Sequence, residues 1–229
     1  MQNPALFPAF VAQHSVSWDL TDPREVGQQF PGVALPVSLE RAVRKRQVEF
    51  VAGRYCAREA LRQCAPELAD DLIGIGPNNE PLWPSGVVGA ITHTDRQASV
   101  ALARTHYARG IGVDAEIWIA ATNATSLADQ IAGREELGAL RAAVGCSLPR
   151  AVTLIFSAKE ALFKCFFPHV KRYFDFRDVC VQCLDATRGR LLATLSVSLA
   201  PTFRAGSRYE MRFDYDERLV YTGIWLPPR

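Results

Sequence analysis

The segments Gly112-Val113-Asp114-Ala115-Glu116 and Phe156-Ser157-Ala158-Lys159-Glu160-Ala161-Leu162-Phe163-Lys164 lie far apart in the chain but make one chemical statement. The first alternates like a strand. Ile111, Val113, Ala115 and Ile117 share one face, so Asp114 and Glu116 share the other, roughly 7 Å apart at strand rise. The second has helical spacing, in which Phe156, Glu160 and Lys164 recur every four residues and set an acid and a base on one face. Three carboxylates and an ammonium suit a hard cation and a phosphate. Magnesium takes oxygen ligands and is usually held by a few carboxylates together with substrate phosphate oxygens and water.

Each segment also has a plainer reading. Alternating acids can be the solvated face of a sheet, and a helix carrying Lys and Glu can be an ordinary surface helix. The choice of base weighs against both. Only four of the 26 basic residues are lysines (Lys45, Lys159, Lys164 and Lys171), and two of those four lie in this one helix. A compact ammonium beside a phosphate gives a reason for lysine in a chain that otherwise uses arginine.

Two further blocks complete a pattern. Lys45-Arg46-Gln47-Val48-Glu49-Phe50-Val51-Ala52-Gly53-Arg54 is a basic helix ending in Gly-Arg, and Pro81-Leu82-Trp83-Pro84-Ser85-Gly86-Val87-Val88-Gly89-Ala90-Ile91-Thr92-His93 is a glycine-rich segment running into a strand that ends in histidine. With the G-V-D-A-E strand and the F-S-A-K-E-A-L-F-K helix, these four ordered blocks resemble the 4'-phosphopantetheinyl transferases, in particular the large monomeric branch that includes the enterobactin-synthase and surfactin types. The blocks cover residues 45 to 164.

The resemblance implies an α+β fold of two similar subdomains in a pseudo-twofold arrangement, each a small antiparallel sheet packed with a long helix, with the active site in the cleft between them. The expected division is 1–110, carrying the basic helix and the coenzyme A phosphate contacts, and 111–229, carrying the metal-binding strand and the F-S-A-K-E-A-L-F-K helix. The implied reaction moves the 4'-phosphopantetheine arm of coenzyme A to a serine of an apo acyl, peptidyl or aryl carrier protein and releases adenosine 3',5'-bisphosphate. By the same resemblance, Asp114, Glu116 and Glu160 hold Mg2+, Glu160 also accepts the serine proton, and Lys164 contacts the departing phosphate. Arg46, Arg54, Thr92 and His93 meet coenzyme A phosphates. Lys159 joins that set at the pocket rim or else faces solvent, since it lies about 100° around the helix from Glu160. Fatty-acid, polyketide and nonribosomal-peptide carriers all remain open as partners, with the enterobactin type tilting toward siderophore assembly. A different magnesium enzyme on a nucleotide pyrophosphate, such as a coenzyme A hydrolase, is the alternative.

The sequence departs from the family pattern at three places, one of them Thr92, which replaces the commoner serine before His93. Asn78-Asn79-Glu80 stands where relatives commonly place a basic residue, and Ala90 stands where serine is frequent. Gly86 and Gly89 are expected to let backbone approach a phosphate. The segment after the metal-binding strand, Ile117 to about Ile131, is the expected carrier contact; it holds Trp118, Ile119 and Leu127 and no basic residue.

Composition agrees without being specific. With 229 residues, 48% of them hydrophobic, the chain has ample material for a core. A net charge of +2 argues against broad nucleic-acid binding but leaves room for a local basic pocket. No apolar stretch reaches membrane-spanning length and the first basic residue is Arg24, so the expectation is a cytoplasmic monomer with no membrane contact. Six cysteines are expected to stay reduced, Cys180-x-x-Cys183 lacking two further ligands for zinc.

Periodicity and breakers predict an irregular start to about residue 37 and a helix from a Ser38 cap to about Cys64, stopped by Pro66. A meander of strands near 87–92, 98–103 and 111–117 follows, then helices near 127–144 and 151–167, the latter closed by Pro168. Four strands over 179–184, 191–198, 208–213 and 219–226 complete the chain.

Overall fold

A computed structural model describes residues 5–228, so residues 1–4 and 229, the outer ends of the two expected domains, lie outside the described residues. The chain divides into two compact units, one holding Pro8–Ile111 together with Leu226 onward, the other holding Gly112–Trp225 with the short segment ending at Phe7.

The first unit contains strand β1 (Ala12–Ser17), the short helix α1 (Val26–Gln29), the long helix α2 (Arg44–Cys64), a two-stranded hairpin of β2 (Gly74–Ile75) and β3 (Pro81–Leu82), and strands β4 (Val87–His93) and β5 (Gln97–Arg104). Its sheet has the order β1-β5-β4, both pairings antiparallel. Val48, Val51, Ala52, Cys56, Ala57, Ala60 and Leu61 make the buried stripe of α2 at helical spacing, and this stripe shares one core with Ala98, Val100 and Leu102 of β5. At Gly53 a side chain would come within 2.9 Å of Ile91, so glycine lets helix and sheet approach closely.

The second unit, apart from the end residues Gly110 and Ile111 of its first strand and Leu226 of its last, holds β6 (Gly110–Ile117), α3 (Ala121–Ile131), α4 (Arg134–Val144), α5 (Leu148–Val170), β7 (Val179–Asp185), β8 (Arg190–Leu195), β9 (Arg208–Tyr215) and β10 (Leu219–Leu226). The sheet order is β6-β10-β9-β8-β7. Helix α5 is the apolar centre, with Ala151, Val152, Ile155, Ala158, Ala161, Leu162, Cys165 and Phe166 fully buried. Each unit therefore pairs a sheet with a long helix, the α+β class expected from the sequence, although the sheets are unequal at three and five strands.

Several expected boundaries are corrected. Strand β1 lies in the region read as irregular. It shows no apolar alternation because it is half-buried along its length, held by its ladder to β5 and a Ser15–Ser99 hydroxyl contact of 2.8 Å. Strand β6 does not extend the meander. The Arg109 N–H bonds to the Leu226 carbonyl, which hands the chain to β10 instead of back to β5. Helix α2 starts at Arg44, Ser38 belonging to a separate 3-10 turn at Val37–Leu39. The helix read over 127–144 is two helices broken at Ala132 and Gly133, both extended. Helix α5 runs through Pro168, since proline near a helix end deletes only one bond; the Lys171 N–H still reaches Phe167 before Lys171 turns left-handed at φ 53°.

Candidate active site

The carboxylate site is built by one close approach within the second unit. A Cβ on Gly112 would lie 1.9 Å from the Ala161 carbonyl oxygen and 2.9 Å from Cys165 Cβ, so only glycine lets α5 rest on this face of β6. Asp114, two residues on, shares that face and meets the same helix one turn away: Lys164 Nζ stands 2.6 Å from Asp114 Oδ1 and donates also to the Val113 carbonyl at 3.3 Å. Asp114 is only 2% exposed, so its part of this face is packed under a helix, and the more exposed part begins at Glu116. On the sheet side Ser157, one turn before Glu160, shares a buried 2.9 Å hydrogen bond with Thr222 of β10.

Glu116 and Glu160 complete a group with three carboxylates and one ammonium. Burial pushes the Glu116 carboxyl up to about 7, the negative charges of Asp114 and Glu160 add to that, and Lys164 opposes it. Glu160 is raised as well, by burial first and by Asp114 second, with Lys164 again opposing. These are hard oxygen donors carrying more negative charge than one lysine neutralises, a set that fits a divalent cation. Among the described residues no three His, Cys, Asp or Glu side chains converge tightly enough to enclose a metal. Asp114 Oδ1 is turned to Lys164 instead.

Beside Glu160 opens a pocket of about 280 Å³, walled by Phe163, Tyr173, Phe174 and Phe176. Phe163 stacks on Tyr173 at 5.5 Å and tilts against Phe174 at 5.1 Å. The sequence reading missed these aromatics. Their signal was the run Tyr173-Phe174-Asp175-Phe176 directly after α5, too short and irregular to register as a motif.

Lys159 also lines this pocket, but its ammonium is turned inward and not to solvent. It is 2% exposed, and its ammonium donates to the Ile131 carbonyl at 2.9 Å and to Glu136 at 3.0 Å. Helix α4 thereby also covers the free edge of β7, whose Val181 N–H bonds to Glu136 Oε1 at 2.7 Å.

The first unit gathers the basic residues. Glu49, unremarked in the sequence reading, sits with its carboxylate 3.8 Å from Lys45, 4.0 Å from Arg46 and 3.8 Å from His93, and Arg46 Nη1 lies 3.4 Å from His93 Nε2. Arg54 stacks over Phe50 at 4.8 Å and donates to the Gly74 carbonyl at 3.0 Å; among the described residues its buried Nε–H finds no acceptor. Burial, helped by Arg46, lowers its guanidinium to about 10, still cationic at neutral pH. Thr92 is buried and, as the neighbour of His93 on one strand, points to the opposite face, so the two side chains do not meet one ligand together. Other arginines of the basic stretch are structural: Arg44 holds the Asp22 and Arg24 carbonyls, and Arg58 holds that of Pro31.

Gly89, expected to let backbone approach a phosphate, and Glu80, in the segment where relatives commonly place a basic residue, are both occupied within the fold. A side chain on Gly89 would strike Leu102 at 2.7 Å and the Trp83 ring at 3.0 Å, and the Trp83 indole N–H donates to the Gly89 carbonyl, so this glycine serves internal packing. Glu80, where a basic residue was looked for, folds back to accept the Asn78 N–H at 2.8 Å inside its own turn. In the expected carrier-contact segment, Ile117 is exposed, while Trp118 is tied to the Asp216 carbonyl and covered by Arg150 at 5.0 Å.

Comparison with known sequences follows the same division. Residues 35–103 match a model of the 4'-phosphopantetheinyl transferase N-terminal domain, and residues 110–213 match the 4'-phosphopantetheinyl transferase superfamily, the latter spanning β6, α5 and all three carboxylates. The relative named 4'-phosphopantetheinyl transferase Svp, from Streptomyces mobaraensis, is 34% identical over 232 residues, covering 96% of this chain and 87% of its own. The chain belongs to the 4'-phosphopantetheinyl transferase superfamily. Enterobactin synthase component D of Salmonella typhi is 38% identical over 73% of this chain and 65% of its own length, and 4'-phosphopantetheinyl transferase PptT of Mycobacterium tuberculosis is 36% identical over 61% and 60%. The chain thus spans just under two thirds of the enterobactin-type relative. The superfamily match falls on the unit that holds the carboxylates and the N-terminal match on the unit that holds the arginines.

Proposed function

We propose that the protein transfers 4'-phosphopantetheine from coenzyme A to a serine hydroxyl of an apo carrier protein in a magnesium-dependent reaction. The observation that carries this reading is the cluster of Asp114, Glu116 and Glu160 around Lys164, opening onto an aromatic-walled pocket. Asp114, Glu116 and Glu160 would hold the magnesium, which when bound supplies charge neutralisation at the pyrophosphate. The raised carboxyl of Glu160 suits it to take the serine proton. The serine oxygen forms a bond to the pantetheine phosphorus as the bond to the leaving phosphate breaks, and adenosine 3',5'-bisphosphate departs. Lys164, freed from Asp114, would meet that leaving phosphate. The apolar walls of the pocket suit the pantetheine arm.

Arg54, with its unsatisfied buried donor, and Arg46 and His93, both partly exposed, are the proposed contacts for the phosphates at the adenosine end. Thr92 would contribute through its backbone, and Lys159 is left out of the set because its ammonium is already engaged. The functional division falls at about residue 110, phosphate contacts before and carboxylates after. No single helix among the described residues is long and apolar enough to cross a membrane, and we place the enzyme in the cytoplasm as a monomer, with siderophore-type carriers favoured by the names of its enterobactin relatives.

The test is mass spectrometry of an apo carrier protein mixed with the enzyme, coenzyme A and magnesium. A gain of one phosphopantetheine on the carrier is expected. Release of adenosine 3',5'-bisphosphate from coenzyme A without a carrier would instead identify a hydrolase.

A further inference from the structure

Lys159 and Glu136 form a buried ion pair that the proposed chemistry does not use. The ammonium is held by both Glu136 oxygens at 3.0 Å and by the Ile131 carbonyl at 2.9 Å, while Glu136 Oε1 also accepts the Val181 N–H at 2.7 Å. One ion pair thus joins the end of α3, helix α4, helix α5 and the edge strand β7. A buried pair of this kind rarely stabilises a fold more than apolar side chains of the same size would. What it supplies is direction, because hydrogen bonds fix an orientation that apolar contact leaves free.

The orientation it fixes is that of the neighbouring residue, Glu160. Around the α5 axis, with Ser157 at zero, Lys159 lies at about 200°, Glu160 at about 300° and Lys164 at about 340°. Ser157 is bonded to Thr222 of β10 and Lys164 to Asp114 of β6, which restrains the helix on its sheet side. Lys159 restrains it on the opposite side, against α4. Glu160 stands between the two sets of anchors, at the mouth of the aromatic pocket.

We infer that Lys159 is a positioning residue: through Glu136 it sets the roll of α5 and so the placement of the Glu160 carboxylate, and its ammonium, although the residue lines the pocket, is held by Glu136 and does not bind a coenzyme A phosphate. The inference rests on the proposed role of Glu160.

The test uses two variants of the full chain. Lys159→Met with Glu136→Gln leaves no buried charge unpaired and keeps an acceptor for Val181. Glu136→Gln alone keeps Lys159 in place and provides the measurement if the double variant does not fold. In both, kcat for carrier modification is expected to fall about 10- to 100-fold, as for a misplaced reacting group. The coenzyme A KM, and the coenzyme A Kd measured by calorimetry, are expected to stay within about twofold of wild type. A raised KM and Kd with kcat unchanged in the double variant, and no effect of Glu136→Gln, would make Lys159 a substrate contact and overturn the inference. Unchanged kcat in a folded variant of either kind would overturn it equally. Wild-type enzyme is assayed alongside: failure of wild type to modify the carrier counts against the proposed function, whereas wild-type transfer with unaffected variants counts against Lys159 alone.

Discussion

Helix α5 carries two lysine–carboxylate pairs, five residues apart, whose surroundings could hardly differ more. Lys159 and Glu136 are one ammonium and one carboxylate, both buried, every oxygen accepting a hydrogen bond from the fold. Lys164 and Asp114 are as close, at 2.6 Å, but Lys164 is 26% exposed and two more carboxylates crowd the pair. The first pair is closed and balanced. The second is open and carries surplus negative charge, and burial first, with that charge second, raises the Glu116 and Glu160 carboxyls above their ordinary range. Electrostatic balance, together with burial, separates a pair that serves architecture from the one proposed to meet a cation and a phosphate.

The largest effect expected from breaking this contrast is on stability. Glu136→Ala strands a buried ammonium and removes the acceptor for the Val181 N–H, a loss of about 3–5 kcal/mol, read as a shift of the urea midpoint. Asp114→Asn should cost far less stability, since partly exposed Lys164 can turn to water, yet lower carrier modification roughly a hundredfold or more. If Asp114→Asn proves as destabilising as Glu136→Ala while the folded fraction transfers normally, both pairs are structural and the distinction fails.

How much of this was visible in the sequence differs between the two pairs. Asp114, Glu116, Glu160 and Lys164 were legible because strand and helix periods each place chemical groups on one face. That this face lies under α5 was not, because the deciding residue, Gly112, acts through the side chain it lacks. The inward turn of the Lys159 ammonium was hidden, since its partner Glu136 sits on a helix whose limits and packing no local pattern reveals. Glu49 was similarly hidden: a carboxylate inside a basic helix reads as a routine i,i+4 partner until the strand carrying His93 is laid beside it. The strand β1 and the transfer of β6 to the second sheet depended on long-range hydrogen bonds, to β5 and to Leu226, which leave no trace in local alternation.

A smaller effect sharpens the role of the open pair. Lys164→Ala removes the one positive charge among three carboxylates and frees Asp114 Oδ1, so less magnesium should be needed for half-maximal rate, while the rate at saturating magnesium falls on the order of tenfold for want of the phosphate contact. A magnesium titration of the transfer rate reads both quantities. An increased magnesium requirement would mean that Lys164 organises the carboxylates and does not compete with the metal.

The smallest expected effect concerns pH. Glu116 titrates near 7 in the folded protein against an ordinary glutamate value of 4.5. Between those values the folded state binds more protons than the unfolded one, so this residue's contribution to stability declines as pH rises from about 4.5 through about 7 and levels off above. Glu116→Gln removes that decline. In metal-free protein the variant should gain on wild type as pH is raised from about 5 to about 8, by on the order of 1 kcal/mol once partial exposure is allowed for, measured as the difference between urea midpoints along the pH series. Added magnesium should flatten the wild-type decline, since a bound cation replaces the protons that Glu116 and Glu160 otherwise retain. A wild-type profile parallel to that of Glu116→Gln, with and without magnesium, would mean that the surplus charge is relieved by solvent, and the open pair would then lose the electrostatic feature that sets it apart from the closed one.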